Sequence, residues 1–191
     1  MTAVALAAHL LAAPAGAQET AKPAAMPPTM PVGLSEKMFK RMKSSPDAFV
    51  EDAAALIFGY GSDRGIDAAA IDLAIAADRA AARGRTMGRM MQADLDGDGI
   101  ATADEIGVLV QATSAKGRGR VALSFQAADT DNDGTVSLVE MQAQAAVAGE
   151  TAVSPGKVAA LRGMMALDTD GDGLLTLAEV RAVVERAQDA A

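Results

Sequence analysis

Apolar positions return at helical spacing on both sides of three short stretches in which acids alternate with small or polar residues. Ahead of each stretch an apolar residue (Met90, Phe125 or Met164) stands four places before the first aspartate. Behind each, Ile106, Met141 or Val180 follows directly on a glutamate. The pattern predicts helices near 35–43, 46–58, 67–82, 85–93, 103–114, 118–128, 138–148, 155–167 and 177–188. That is an all-α chain with minimal strands confined to the loops. Ser45-Pro46 and Ser154-Pro155 mark two helix starts, with serine as N-cap and proline in the first helical position. Gly117 and Gly119 fall between the second and third units and are expected to form a hinge.

The acidic stretches share one spacing. Residues 94–105 read DLDGDGIATADE, 129–140 read DTDNDGTVSLVE, and 168–179 read DTDGDGLLTLAE. Each has aspartates at positions one, three and five, glycine at six and glutamate at twelve. The stretches begin 35 and then 39 residues apart, the mark of a repeated unit. Stepping back 35 from Asp94 reaches Gly59, where GYGSDRGIDAAA keeps Ile66 at position eight and an acid, Asp63, at five. Its first, third and twelfth positions are Gly59, Gly61 and Ala70, so it reads as a fourth copy without its ligands. Arg83-Gly84-Arg85 recurs as Arg118-Gly119-Arg120, at the same 35-residue interval.

Acids packed this closely repel one another, and a hard divalent cation offsets that repulsion. Calcium takes six to eight oxygens in flexible geometry. In 129–140, Asp129, Asp131 and Asp133 converge because alternate residues of a tight loop point inward, and Gly134 permits the turn. Thr135 offers a backbone carbonyl, Ser137 a water-mediated contact, and Glu140 both carboxylate oxygens. The same roles fall to Asp94, Asp96, Asp98, Ile100, Thr102 and Glu105, with Gly99 at the turn. In the last loop they fall to Asp168, Asp170, Asp172, Leu174, Thr176 and Glu179, with Gly173 at the turn. Three calcium sites are expected. Magnesium demands a more rigid octahedron and keeps its waters, and zinc lacks cysteine and all but one histidine, His9.

This pattern resembles the EF-hand family over roughly residues 46–188. The resemblance implies helix–loop–helix hands in two pairs, arranged as in calmodulin, with the first hand degenerate. Paired loops then exchange a short two-stranded bridge at position eight, which is Ile66, Ala101, Val136 or Leu175. Sequential pairing is expected, loop 59 with 94 and loop 129 with 168, with the smaller Ala101 meeting Ile66 loosely. The corresponding domains are an N-terminal pair over 35–116 and a C-terminal pair over 117–191. Lanthanide-selective bacterial hands are similar to one another in carrying proline at position two. Here that position is Leu95, Thr130 or Thr169, which favours calcium.

Composition narrows the functional classes. The 191 residues carry 17 basic and 25 acidic side chains, a formal charge of −8, which argues against nucleic acid as a partner. Three divalent ions would bring that charge to about −2, so a loose metal-free form that gains helix on calcium is expected. Cysteine is absent, which excludes disulfides, thiolate metal sites and cysteine nucleophiles. No nucleophile–base pair stands outside the metal loops, so an enzyme using calcium structurally is the weaker alternative. Residues 1–17 read as a secretory signal, an apolar run from Val4 to Ala13 followed by Ala15-Gly16-Ala17, although no lysine or arginine precedes the run. The run is too short to span a bilayer. Residues 18–34, rich in proline, read as a tether. A periplasmic or secreted calcium binder follows, acting as buffer, sensor or calcium-stabilised module. The alternative is a cytoplasmic sensor that grips a protein target through Met87, Met90, Met91, Met141, Met164 and Met165. The reading preferred for those methionines is filling for a core short of aromatics. Lys37, Lys40, Arg41 and Lys43, with Met38, Phe39 and Met42, form a basic amphipathic stretch.

Overall fold

A computed structural model describes residues 30–31 and 33–189. The expected signal segment lies outside the described residues, as does nearly all of the expected tether. Eight α-helices account for most of the described chain. They are α1 (Glu36–Ser44), α2 (Pro46–Tyr60), α3 (Ala68–Met91), α4 (Ala103–Gln111), α5 (Ala115–Ala128), α6 (Leu138–Ala152), α7 (Pro155–Gly163) and α8 (Leu177–Asp189). A 3-10 turn over Met164–Leu167 ends the helix begun by α7. Two short strands, β1 (Ile100–Ala101) and β2 (Val136–Ser137), pair antiparallel.

The helix starts follow from local chemistry. Ser35, Asp67, Thr102, Ser114, Ser137 and Ser154 each accept a backbone N–H from three residues on, satisfying a donor that the first helical turn leaves free. Pro46 opens α2 as expected, but Ser45 makes no side-chain capping bond. It is also the last residue of the preceding turn, its N–H donating to the Arg41 carbonyl.

Two expectations about breaks are corrected. The separate helices 67–82 and 85–93 are one helix, α3, which runs through Gly84. A helical glycine costs about 1 kcal/mol against alanine, too little to outweigh the packing of α3 along α6. Ala82, Thr86 and Met90 on α3, and Met141, Ala145 and Gly149 on α6, form two buried stripes at four-residue spacing. The helices lie so close at Gly149 that a Cβ there would stand 2.6 Å from Arg83 Cγ and 3.2 Å from the Arg79 carbonyl oxygen. Likewise Gly117 and Gly119 are not a hinge, because both lie within α5, which Ser114 caps from three residues earlier than expected.

The continuity of α3 decides the pairing. At 1.5 Å per residue its 24 residues span about 36 Å, so loop 59 and loop 94 sit at opposite ends and cannot meet. Instead Ile66 bridges Leu175, exchanging N–H···O bonds of 3.0 and 2.8 Å. Ala101 pairs with Val136 and Ile100 with Ser137. The expected sequential pairs are therefore replaced by first with last and second with third, and Ala101 meets Val136 rather than Ile66.

Each pair has its own core. Leu34, Met42, Phe49, Ile57, Ile66, Ile71, Leu167, Leu175 and Val180 belong to the first-and-last lobe. Met90, Ala93, Ala101, Phe125, Ala128, Val136 and Met141 fill the other. The basic stretch of α1 docks on its own chain. Met38 and Met42 are buried, and Gln188 donates to the Met42 and Lys43 carbonyls at the end of α1. Ion pairs tie α3 to α7 (Lys157 with Asp78 at 3.0 Å, Arg162 with Asp72 at 2.8 Å), and all four side chains are half exposed, so each adds little. Among the described residues no helix is long and apolar enough to cross a membrane.

Two substitutions test this arrangement. Gly84→Ala has open space around it and should stabilise the protein by about 0.5–1 kcal/mol if α3 is unbroken. A loss of stability in urea unfolding would restore the break. Gly149→Leu should cost about 1–3 kcal/mol by forcing α3 and α6 apart.

Candidate metal centres

Each acidic loop is a turn tied to its own carboxylates. The first aspartate accepts the N–H of the sixth-position glycine. Gly99 donates to Asp94 at 3.0 Å, Gly134 to Asp129 at 3.1 Å and Gly173 to Asp168 at 2.9 Å. These glycines lie at φ +89°, +86° and +85°, as the turn at position six demands. Position four is also left-handed, at Gly97, Asn132 and Gly171, with Asn132 at φ +58°. The sequence signals this second requirement only as two glycines and an asparagine, the residues that tolerate such backbone most readily.

The twelfth-position glutamate closes each loop on the next helix. Glu105 Oε2 accepts the Thr102 N–H at 2.8 Å and its hydroxyl at 2.7 Å, and the Thr102 hydroxyl in turn accepts the Glu105 N–H. This is a capping box, and Ser137 with Glu140 forms another. Thr176 and Glu179 exchange the same bonds. The other oxygen, Oε1, reaches back across the loop to accept the N–H of position two: Leu95 at 2.9 Å, Thr130 at 2.8 Å and Thr169 at 2.8 Å. One carboxylate thus ties the entrance of the loop to the start of the following helix.

The result is three matching cages. Carboxylate oxygens of Asp94, Asp96 and Glu105 lie within 4.8 Å of one another, as do those of Asp129, Asp131 and Glu140, and those of Asp168, Asp170 and Glu179. Of the expected ligands, positions one, three and twelve are brought together. The fifth-position aspartates are not in these clusters. Asp98, Asp133 and Asp172 instead accept the N–H of Ile100, Thr135 and Leu174, at 2.8, 2.7 and 2.8 Å. Thr102, Ser137 and Thr176 face the closing glutamates as helix caps. The donor set is all hard oxygen and fits a calcium-sized ion.

The degenerate copy lacks such a cluster. Ser62 and Gly65 exchange backbone bonds of 2.8 and 3.2 Å across Asp63-Arg64, closing a tight turn. A Cβ at Gly61 would fall 2.6 Å from the carbonyls of Ile57 and Gly65. Asp67 keeps the capping role of position nine, bonding the Ala70 N–H at 2.7 Å, but Ala70 returns no carboxylate.

The hydrogen bonds shift the glutamates. The Thr102 hydroxyl first, then the N–H groups of Thr102 and Leu95, hold Glu105 at about 2. The N–H groups of Ser137 and Thr130 and the Ser137 hydroxyl hold Glu140 at about 2. Burial raises Glu179, but bonds from Thr176 and Thr169 outweigh it and leave the group below its ordinary value. All three carboxylates are thereby kept ionised and aimed for a cation. A depressed folded value stabilises the protein above the unfolded value near 4.5 and loses that contribution as pH falls toward 2. In chelator, thermal stability should therefore drop between about pH 4.5 and 2. The fall should be shallower in a Glu105→Gln, Glu140→Gln, Glu179→Gln variant, followed by circular dichroism.

Comparison with known proteins agrees with the geometry. A family model described as EF hand matches residues 121–143 and 161–184, the segments that contain the loops at 129 and 168. No curated protein and no solved structure matches the chain. The loop at 94, outside the matched segments, repeats their cluster, capping box and glycine turn bond for bond. The two matched segments are similar to EF hands, and the three cages, each held between two helices, fit EF-hand loops.

Proposed function

We propose that the protein binds three calcium ions outside the cytoplasm, as a buffer or a calcium-stabilised interaction module rather than an enzyme. The observation that carries the metal reading is the convergence of two aspartates and a bidentate-capable glutamate in each of three loops. Asp94, Asp96 and Glu105 would hold one ion, Asp129, Asp131 and Glu140 the second, and Asp168, Asp170 and Glu179 the third. Asp98, Asp133 and Asp172, the carbonyls of Ile100, Thr135 and Leu174, and Thr102, Ser137 and Thr176 are the additional ligands the EF-hand pattern supplies. Support for an extracytoplasmic location is the apolar segment Val4–Ala13 followed by Ala15-Gly16-Ala17.

The buffer or module reading is favoured over a target-gripping sensor by where the methionines sit. Of the six methionines, Met90, Met141 and Met164 are buried among core residues, Met87 and Met165 pack against those cores, and Met91 alone is exposed. The pairing suggests how the sites divide. Loops 94 and 129 are joined through β1 and β2, so ordering one loop orders the strand of the other. Loop 168 is joined to the ligand-free copy through Ile66 and Leu175. The expected behaviour is a coupled pair of sites and one independent site.

Calorimetric titration of the 18–191 fragment with calcium tests the reading. Three sites in two classes are expected. Glu140→Gln should weaken both members of the coupled pair, and Glu179→Gln only the independent site. Calcium uptake as avid in the double variant as in the parent would refute the cage assignment. Stripping the parent with chelator should reduce its far-UV helical signal, and calcium should restore it.

A further inference from the structure

The closing glutamates of the three cages differ at one contact. In every loop the N–H of position two donates to Oε1 of the closing glutamate. In two of them the side chain of the same residue does so as well. The Thr130 hydroxyl donates to Glu140 Oε1 at 3.0 Å, and the Thr169 hydroxyl to Glu179 Oε1 at 3.3 Å. In the first loop position two is Leu95, which has no donor to offer and is 58% exposed, so packing does not account for it. At Oε2 the loops are alike, each glutamate accepting one N–H and one hydroxyl at 2.7–2.9 Å.

We propose that Thr130 and Thr169 are positioning residues for calcium. Their hydroxyls hold the closing glutamates of the last two loops in the ligand cluster, and the loop at 94 binds calcium more weakly for want of one. This rests on the calcium reading above. Before an ion enters, the closing glutamate stands with its oxygens within 4.8 Å of two aspartates, and like charge drives it outward. Glutamate has three rotatable side-chain bonds, so the outward swing is easy unless donors oppose it. A hydroxyl on Oε1 opposes it directly and reduces the ordering that calcium would otherwise have to impose. One hydrogen bond of this kind corresponds to roughly a 3- to 10-fold change in affinity.

The test uses the full chain stripped with chelator, then titrated with calcium chloride. The amide NMR signals of Gly99, Gly134 and Gly173 report each loop separately, because each donates to its own first aspartate. Loop 168 is the clean case, its partner loop having no ligands. Thr169→Val should weaken calcium binding at Gly173 roughly 3- to 10-fold and leave Gly99 and Gly134 unmoved, and Thr169→Ser should restore it. Leu95→Thr should tighten binding at Gly99 by a similar factor. Parental affinity in Thr169→Val, or a serine variant as weak as the valine one, would overturn the positioning role. An unchanged Gly99 affinity in Leu95→Thr would overturn the account of the first loop. If none of the three glycines of the parent responds to calcium, the calcium reading itself fails, a result distinct from the others.

Discussion

Two loops at the ends of an unbroken helix are held apart by its length, and in this chain that helix is α3. Once loop 59 and loop 94 are separated by its 24 residues, each must find its strand partner elsewhere. The return path is α6, which runs back along α3 with Gly149 against the Arg79 carbonyl. Loop 129 at the start of α6 therefore lies beside loop 94, and the chain leaving the end of α6 through α7 brings loop 168 back to loop 59. Both bridges, Ile66 with Leu175 and Ala101 with Val136, follow from the close approach of two helices. The lobes are consequently not consecutive halves of the sequence. The lobe of loops 59 and 168 is assembled from residues far apart along the chain, whereas the other spans only Met90 to Met141, and the α3–α6 contact is what brings loop 168 back to loop 59.

Within that frame each metal loop is organised by its own backbone before any ion is considered. Asp94 accepts two N–H groups, from Gly97 and Gly99, and Glu105 accepts two more along with a hydroxyl. Charge that would otherwise expand the loop is spread over donors that cannot leave, because they belong to the turn itself. The capping box adds a second function to the same glutamate. A ligand carboxylate that also starts a helix couples occupancy of the loop to the order of the helix behind it. Calcium binding and helix stability thereby share one side chain in each hand.

The loops were legible in the sequence because their chemistry is local. Alternating aspartates, the glycine at position six and the glutamate at twelve act within a dozen residues, and the helix cap Ser154 acts within four. The spacing of Met90, Phe125 and Met164 from the first aspartate put them on one helix face, but only the structure decides between groove and core for the two methionines, which it buries. The pairing was not legible, because it turns on whether the chain breaks at Gly84. A glycine there carries a cost of about 1 kcal/mol that a distant surface can offset, and that surface, Met141 to Gly149, lies some sixty residues away. Gly117 and Gly119 misled in the same way. Glycine permits a hinge, but Ser114 begins a helix that absorbs both.

The degenerate copy shows what an EF hand needs when it no longer holds metal. Its acids at one, three and twelve are gone, and the space is taken by a turn in which Ser62 and Gly65 bond each other. Gly61 and Gly65 make that turn possible, since a side chain at either would meet backbone carbonyls, of Ile57 and Gly65 in one case and of Leu175 in the other. What survives is the strand residue Ile66, wholly buried against Leu175, and the cap Asp67 that starts α3. These two features are the ones the neighbouring loop at 168 and the long helix depend on. A loop can lose its ion and keep its place in the fold provided the turn is closed by hydrogen bonds instead of by a cation. Here the closure is internal, so the partner of loop 168 is held by its own hydrogen bonds and not by a cation.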